Sequence, residues 1–307
     1  MQKKFFTKIK LLIISKNNVK QRIDNFLFSY YKILSKKHIQ KIIRKGEVRI
    51  NKKRINNLYY LQLNDIIRIP PIYVIKKKIF FYNNYRFLKK ILNNIIYENK
   101  LFLIINKPNK ISVHDGHNNK NSIIKIMKKI KFNKYVELIH RLDKATSGCL
   151  IISKSFTILQ KLNYQLKYNK IKKIYHLLCY GIFNKNIYAY TNIYKNFNKN
   201  VLKVKNEHNS LTKFNYIKIY TEYSLLEAIP YTGKKHQIRI STKKLNHSII
   251  GDNKYINKNF IKYKKIINYK RLFLHSKKIK FICPLTNKLL IVNAPYDNSL
   301  YKILNKK

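Results

Sequence analysis

One acidic residue stands among cations at a place where a carboxylate could do chemistry. Asp143 lies in the segment HRLDKATSG (140–148), two residues after Arg141 and directly before Lys144. The chain has 67 Lys and Arg against 12 Asp and Glu, so an acid at this place is unusual. Adjacent cations favour an ionised carboxylate, which can serve as a base or a nucleophile. The same spacing suits a structural ion pair, and the residues alone leave both interpretations open.

The residues that follow Asp143 are suited to hold it at the end of a strand. Thr146, Ser147 and Gly148 allow a tight turn and can bond to free backbone groups. The apolar run CLIIS (149–153) then predicts a buried strand. Reactive groups are often carried on a loop at the edge of such a rigid element.

Other kinds of chemistry find little support in the sequence. His114 and His117 have a tolerable spacing for a metal, but no Cys or acidic cluster accompanies them. The sequence has neither a Gly-rich phosphate loop nor a Gly-x-Ser-x-Gly elbow. Its three cysteines are widely spaced, which is typical of reduced thiols in a cytoplasmic protein. We therefore expect no metal.

The formal net charge of +55 predicts a polyanionic partner, with nucleic acid favoured over an anionic membrane surface. The chain is also rich in Lys, Ile, Asn and Tyr, so codon drift in an AT-rich genome explains part of the charge. The apolar run near the start is too short for a secretory signal, and no stretch approaches the roughly 18–20 apolar residues of a membrane span. We expect a cytoplasmic protein that does not bind a membrane.

Residues 20–80 predict a small basic domain of two helices and short strands. Apolar residues recur at helical spacing in QRIDNFLFSYY and in SKKHIQKIIRKG. Ser35 suits the N-cap of the second helix, and Gly46 suits the left-handed position at its end. EVRIN and LNDIIRIP predict strands, and Asn64 tolerates the positive φ of the turn before the second of them.

The rest of the chain predicts a basic linker over 81–96 and a larger domain over 97–307. SFTILQKLNYQLKY (155–168) has helical periodicity, whereas KKIYHLLCYG, HQIRIST and KIKFICPLTNKLLIV predict strands. A few helices among many strands with hairpin turns are typical of an α+β domain around a largely antiparallel mixed sheet. The predicted fold class is therefore α+β.

Six ordered blocks resemble the RluA-type family of RNA pseudouridine synthases: NKPNKISVH, HRLDKATSG with LIISKS, KKIYHLL, TGKKHQIRI, NHSIIGDNKY and RLFLHS. They span nearly all of 97–296, and residues 20–69 resemble the S4 RNA-binding domain that often precedes this catalytic domain. The chain departs from the family pattern at Lys234, Ser241 and Ser248, which are expected to lie outside the reacting centre.

The resemblance implies a catalytic role for Asp143, which would attack C1′ of a uridine or remove its C2′ proton. Arg239 would pair with Asp143. Tyr175 would stack on the uracil and help to remove the C5 proton. Arg141 would fill the place of the flipped base, with a plain phosphate contact as the alternative.

The resemblance also implies the partner, large-subunit (23S) ribosomal RNA. The cations predicted to bind RNA are Arg22, Lys45, Arg49, Lys52, Lys53 and Lys144. The reaction is an isomerisation and needs no cofactor, and the protein is expected to be monomeric. Two alternatives stay open: a different target set among the large-subunit enzymes, and a non-catalytic RNA-binding factor of ribosome assembly on the same scaffold.

Overall fold

The computed structural model describes residues 4–31, 34–75, 85–114, 122–130, 135–195, 202–203, 209–260, 269 and 271–305. The helices are α1 (Ile23–Tyr30), α2 (Lys36–Arg44), α3 (Tyr85–Leu92), α4 (Ile123–Ile130), α5 (Phe156–Lys167), α6 (Gln237–Lys244) and α7 (Asn298–Leu304), with a 3-10 turn at Lys258–Phe260. The strands are β1 (Lys4–Phe6), β2 (Lys10–Ile13), β3 (Arg49–Ile50), β4 (Lys53–Arg54), β5 (Ile66–Ile69), β6 (Tyr73–Ile75), β7 (Ile95–Glu98), β8 (Phe102–Lys107), β9 (Glu137–Leu138), β10 (Ser147–Ser153), β11 (Lys172–Tyr180), β12 (Ile187–Thr191), β13 (Tyr194–Lys195), β14 (Leu202–Lys203), β15 (Ser210–Ile219), β16 (Tyr223–Pro230), β17 (Leu274–Ile282) and β18 (Leu289–Asn293).

The N-terminal unit packs α1 and α2 with a sheet of four strands in the order β2-β5-β3-β4. Ile23, Ile39 and Ile67 are fully buried in one core that both helices and the sheet share. Burial of each such side chain contributes about 1.5–3 kcal/mol. This small core explains how a short, strongly basic segment keeps a defined shape.

The turns predicted in this unit are confirmed. Ser35 Oγ accepts a hydrogen bond from His38 N at 3.2 Å and so caps α2. Gly46, just after α2, has a φ of +70°, and Asn64, before β5, has a φ of +66°. Both values lie in the left-handed region that Gly and Asn tolerate best.

The larger unit is built on a sheet of ten strands, with the path β12-β15-β16-β11-β17-β10-β8-β7 and with β18 and β9 attached to β17 and β10. All neighbours pair antiparallel except β10 and β17, which are parallel. Successive residues of β10 enter different cores, because Leu150 packs in one cluster and Ile151 in another. The α+β fold with a largely antiparallel mixed sheet is confirmed.

The predicted linker over 81–96 is too long. Residues 81–84 lie outside the described part of the chain, but α3 and the start of β7 occupy most of the remainder. Ile91 of α3 is fully buried in the main core, and Ile95 pairs with Ile105 of β8. Residues 85–96 therefore belong to the larger unit, because their apolar side chains complete its core and sheet.

The strand predicted for HQIRIST is wrong, since this segment forms α6. Alternating β-branched residues favoured a strand. In the structure, however, residues 237–242 are all buried, so the rest of the protein covers this part of the helix on every side. A helix that is buried on every side loses the polar stripe by which a sequence reveals its period.

Candidate active site

Asp143 lies in a tight turn just before β10. Thr146 N donates to Asp143 O at 3.0 Å, and Leu142 is buried beside the turn. The Asp143 side chain is 21% exposed. Arg141 and Lys144 are exposed, and within the described ranges neither forms an ion pair with Asp143. The neighbours in sequence are therefore not the partners of this carboxylate.

Two side chains from the start of α6 approach the carboxylate instead. Arg239 Nη1 lies 3.8 Å from Asp143 Oδ2, and His236 Nε2 lies 3.7 Å from the same oxygen. Both distances exceed that of a hydrogen bond. Arg239 thus attracts Asp143 electrostatically while the carboxylate oxygens stay accessible from the pocket.

Contacts between β10 and β17 fix the turn. Ser147 Oγ lies 2.8 Å from His275 Nδ1 and accepts a hydrogen bond from Arg271 Nη2 at 3.0 Å. Burial lowers the pKa of His275 to about 4, so the ring is neutral, and its Nε2 donates to Ala294 O at 3.2 Å. The Ser147 hydroxyl must then donate to Nδ1. Arg271 also pairs with Asp297 at the start of α7, which ties the turn to the C-terminal helix.

Gly148 permits the close approach of these strands. Its φ is +105°, and a Cβ would lie 2.2 Å from Ser276 O. We expect Gly148→Ala to lower the free energy of unfolding by roughly 2–5 kcal/mol, because both the clash and the left-handed φ penalise a side chain. Urea unfolding measures this. Gly233→Ala is the control, since its Cβ would have no neighbour within 4 Å, and equal midpoints for the two variants would contradict the prediction.

Asp252, a residue without a predicted role, holds Arg239. Arg239 Nε and Nη2 each donate to an Asp252 oxygen at 2.7 Å, and both side chains are buried. Asp252 Oδ1 also accepts from Lys254 N at 2.9 Å and Tyr255 N at 3.1 Å. Burial opposes ionisation of Arg239, but the hydrogen bonds to Asp252 and the charges of Asp252 and Asp143 together raise the pKa of Arg239. The guanidinium is a fixed cation whose remaining nitrogen faces Asp143.

His236 precedes α6 in a left-handed conformation, with a φ of +56°. Its Nδ1 lies 2.8 Å from the Tyr255 hydroxyl oxygen. Burial lowers the pKa of His236 to about 4, although Asp143 opposes this shift. With the Tyr255 hydroxyl donating to Nδ1, the neutral ring carries its proton on Nε2, toward Asp143. His236 lies in the block TGKKHQIRI and Tyr255 in the block NHSIIGDNKY, but these blocks predicted no role for either residue.

Tyr175 lies on β11, where the register against β17 shifts between Ile174 and Tyr175. The side chain is buried. Burial raises the pKa of Tyr175 well above its usual range, and the charge of Asp143 raises it further. Tyr175 is therefore a neutral phenol at physiological pH.

These residues line one pocket of about 290 Å³. Asp143, Arg239, Tyr175 and Arg141, the four residues predicted for the reacting centre, all contribute to its wall, together with the segment 232–238. The pocket is close to the lower limit of small-molecule sites, roughly 300–1,000 Å³. It is of a size for one nucleobase and its ribose.

Lys107 supports the Asp143 turn through hydrogen bonds to backbone carbonyls. No role was predicted for it from the sequence. Its buried Nζ donates to the carbonyl oxygens of Pro108 and Ile111 at 2.9 Å and of Lys144 at 3.3 Å. Burial lowers the pKa of Lys107 to about 7, while the charge of Asp143 opposes the shift. The amine thus fixes the backbone directly after Asp143. Lys107 is the first lysine of the NKPNKISVH block, and this position in the block was the available sequence signal for its role.

Most cations predicted to bind RNA in the N-terminal unit are exposed: Lys45, Arg49, Lys52 and Lys53. Arg22 differs, because its guanidinium pairs with the buried carboxylate of Asp24 at 2.7 Å. Part of its charge is therefore neutralised within the unit.

Four histidines with lowered pKa values predict that acid destabilises the protein. Burial lowers the pKa to about 3 for His140 and to about 4 for His176, His236 and His275. Unfolded histidine titrates near 6.5, so the unfolded chain binds more protons between about pH 6.5 and 4. The contribution of these histidines to the free energy of unfolding should be complete above pH 7 and should be lost as the pH drops through this window. For each additional proton that the unfolded chain binds, the free energy of unfolding falls by up to about 1.4 kcal/mol per pH unit.

Urea unfolding at pH 7, 6 and 5 tests this dependence. In the His176→Gln variant, unfolding should take up about one proton fewer. The free energy of unfolding should therefore depend less steeply on pH. A free energy of unfolding that stays constant from pH 7 to pH 5 would contradict the prediction.

Within the described ranges, no group of three His, Cys, Asp or Glu is placed to hold a metal ion. His117 lies outside those ranges. None of the helices in the described part of the chain is long and apolar enough to span a membrane.

Two family models match the chain. The model described as RNA pseudouridylate synthase matches residues 101–244, and the S4 domain model matches residues 21–67. The synthase match includes the turn with Asp143, β11 with Tyr175, and α6 with Arg239.

Curated relatives match over nearly the whole chain. The "Ribosomal large subunit pseudouridine synthase C" of Buchnera aphidicola subsp. Baizongia pistaciae is 42% identical, with 95% of each chain covered. The protein of that name from Vibrio parahaemolyticus is 35% identical, covering 97% of this chain and 96% of the relative. Among solved structures, "Human RNA Pseudouridylate Synthase Domain Containing 4" has a TM-score of 0.58 at 17% identity, covering 73% of this chain and 98% of its own. That likeness supports the fold of the larger unit.

Proposed function

This chain belongs to the RNA pseudouridylate synthase family, and on that premise we propose that it converts uridine to pseudouridine in large-subunit ribosomal RNA. The observation that carries the proposal is the pocket, in which Asp143, Arg239, Tyr175 and Arg141 meet from separate parts of the chain. A binding factor has no need to bring a carboxylate, a fixed guanidinium and a buried phenol around a space for one nucleoside.

Asp143 is the catalytic residue of this proposal. The reaction breaks the N1–C1′ bond of uridine and forms a C5–C1′ bond, while C5 loses a proton and N1 gains one. Nothing is consumed or released overall, so one carboxylate suffices where glycoside hydrolases use two. Asp143 either adds to C1′ or removes a proton from C2′. Its exposed oxygen, 3.8 Å from Arg239 Nη1, is accessible for either step.

Arg239 attracts and orients the carboxylate of Asp143. Two of its nitrogens are engaged by Asp252, so only Nη1 is directed toward Asp143. A side chain fixed in this way does not have to reorganise as charge moves during the reaction.

Tyr175 serves as a stacking surface for the uracil. Its raised pKa keeps the phenol protonated, which supports stacking rather than removal of the C5 proton by the side chain itself. Tyr175 and Leu274 of the sheet line the pocket, so a target uridine must leave its helix to reach them, at a cost of a few kcal/mol.

Arg141 occupies the place of the extruded base. It is exposed at the wall of the pocket, where a planar cation can stack between bases and bond to their edges. Lys144 and the exposed cations of the N-terminal unit contribute phosphate contacts. The enzyme would act as a cytoplasmic monomer, without a cofactor.

The names of the relatives favour the target set of synthase C over that of the related synthase D. Mapping pseudouridines in large-subunit RNA from cells with and without the gene tests both activity and targets. We expect a few pseudouridines to disappear and to return when the purified protein acts on unmodified RNA. An unchanged map, with no activity of the purified protein, would favour the non-catalytic assembly factor instead.

A further inference from the structure

The sheet face opposite the pocket carries exposed tyrosines in ordered rows. At the edge of the large sheet, Tyr188 of β12 lies across from Lys213 of β15, which lies across from Ile229 of β16. The next row contains Tyr190 and Leu211, followed by Tyr231, whose N donates to Leu211 O at 2.9 Å. We call these six residues the tyrosine face.

This face is separate from the pocket. Side chains alternate along a strand, so Pro230 points to the side of the sheet opposite Ile229 of the tyrosine face. Pro230 lines the pocket, and Tyr231 belongs to the tyrosine face. Thr232, the next residue, lines the pocket again, so the segment after β16 connects the two sites around the edge of the sheet.

Three aromatic rings of this face are open to solvent. Tyr188 and Tyr190 are each 52% exposed, and Tyr231 is 40% exposed. The rings of Tyr188 and Tyr231 have centroids 6.4 Å apart at 35°, so they present a nearly continuous surface. The exposed rings of Tyr188 and Tyr231 can stack on further aromatic groups.

Cations lie among these rings. Lys213 Nζ is 5.6 Å from the centroid of Tyr188, and Lys244 Nζ donates to Tyr190 O at 3.4 Å. Glu227, in the adjacent row, accepts a hydrogen bond from Asn215 Nδ2 at 2.9 Å. Aromatic rings beside lysines match bases beside phosphates.

We infer that the tyrosine face binds single-stranded RNA next to the target site, with bases stacked on Tyr188 and Tyr231 and phosphates near Lys213 and Lys244. Stacking on exposed rings needs unpaired bases, which excludes duplex RNA from this face. The inference extends the proposed function, because it assigns the enzyme a flanking unpaired strand as part of its substrate.

Oligouridine binding tests the inference directly. We expect Tyr188→Ala with Tyr231→Ala to weaken binding of a fluorescein-labelled 12-nucleotide oligouridine by about tenfold or more, because each lost stack contributes roughly fivefold. Tyr188→Phe with Tyr231→Phe keeps the rings and should bind like the wild type. The fold of each variant is checked by its thermal unfolding.

The matched control is a tyrosine pair at the C-terminal end of α5. Tyr164 is 56% exposed, Lys170 Nζ lies 5.6 Å from its ring, and Tyr168 lies beside it. Tyr164→Ala with Tyr168→Ala therefore removes an aromatic and lysine group of the same kind from a helix. We expect less than about a twofold change. Equal losses for the two double variants, or no loss for the sheet pair, overturn the inference.

The absence of tryptophan from the chain offers a second readout. Tyr188→Trp introduces a single tryptophan, whose fluorescence can be excited selectively and should be quenched by a stacked base when oligouridine is added. Tyr164→Trp is the control and should be quenched much less. Equal quenching at both positions would also overturn the inference.

These outcomes are independent of catalysis. If the wild type forms pseudouridine while the Tyr188 and Tyr231 variants bind oligouridine normally, the proposed function stands and the inference fails. If the wild type forms none while those variants lose binding, the inference stands and the proposed function fails.

Discussion

Asp143→Asn protein is expected to form no measurable pseudouridine, a loss of at least about 10³-fold, while it still folds and binds RNA. Asparagine preserves the shape of the side chain but removes the charge that faces Arg239 Nη1 and the pocket. Neither attack on C1′ nor removal of a C2′ proton is then possible. Release of tritium from RNA labelled at C5 of uridine measures the reaction directly, because C5 loses its hydrogen.

Glu137→Gln is the control for this experiment. Glu137 pairs with Lys128 and does not line the pocket, so its loss should leave the rate within about twofold of the wild type. Tritium release above a tenth of the wild-type rate by Asp143→Asn would remove Asp143 from its catalytic role.

Asp252→Ala is expected to lower the free energy of unfolding by about 3–5 kcal/mol and to abolish activity. The change leaves the buried guanidinium of Arg239 without its bidentate partner, and it deprives Lys254 N and Tyr255 N of their acceptor. Arg239 would then be free to move toward Asp143 and close over it. Urea unfolding and tritium release measure the two effects separately.

An exposed ion pair provides the matched control. Lys45 Nζ lies 3.9 Å from Glu47 Oε1, with side chains 59% and 40% exposed. Glu47→Ala should change the free energy of unfolding by less than about 1 kcal/mol. If Asp252→Ala cost no more than Glu47→Ala, the buried pair would not be what fixes Arg239.

Sequence motifs identified the residues of the pocket better than they identified its geometry. Asp143, Tyr175 and Arg239 are recognisable because each lies in an ordered block, and these blocks do meet in space. The role of Asp252 was not predictable, because Arg239 and Asp252 are 13 residues apart and become partners only when α6 packs beside the loop after Gly251. Lys107 escaped notice for a similar reason, since a lysine in a basic chain does not reveal that it is buried.

The secondary structure was likewise predicted only in part from the sequence. Periodicity found α1 and α2, because each has one buried and one exposed side, whereas apolar runs revealed the largely buried strands β10 and β11. It failed for α6, which is buried on all sides, and for α3, whose apolar residues lie in a basic stretch. The predicted turns at Gly46 and Asn64 were found because a positive φ depends on the local residue rather than on distant contacts.

The bond between Ser147 and His275 joins residues 128 positions apart, and this separation has a consequence for the timing of synthesis. At about 5–20 residues per second, a ribosome needs roughly 6–25 s to pass from one residue to the other. The RNA-binding unit at 21–67 has left the ribosome before then. A nascent chain can therefore hold RNA well before β17 arrives to lock the turn of Asp143, so RNA binding precedes the assembly of the pocket.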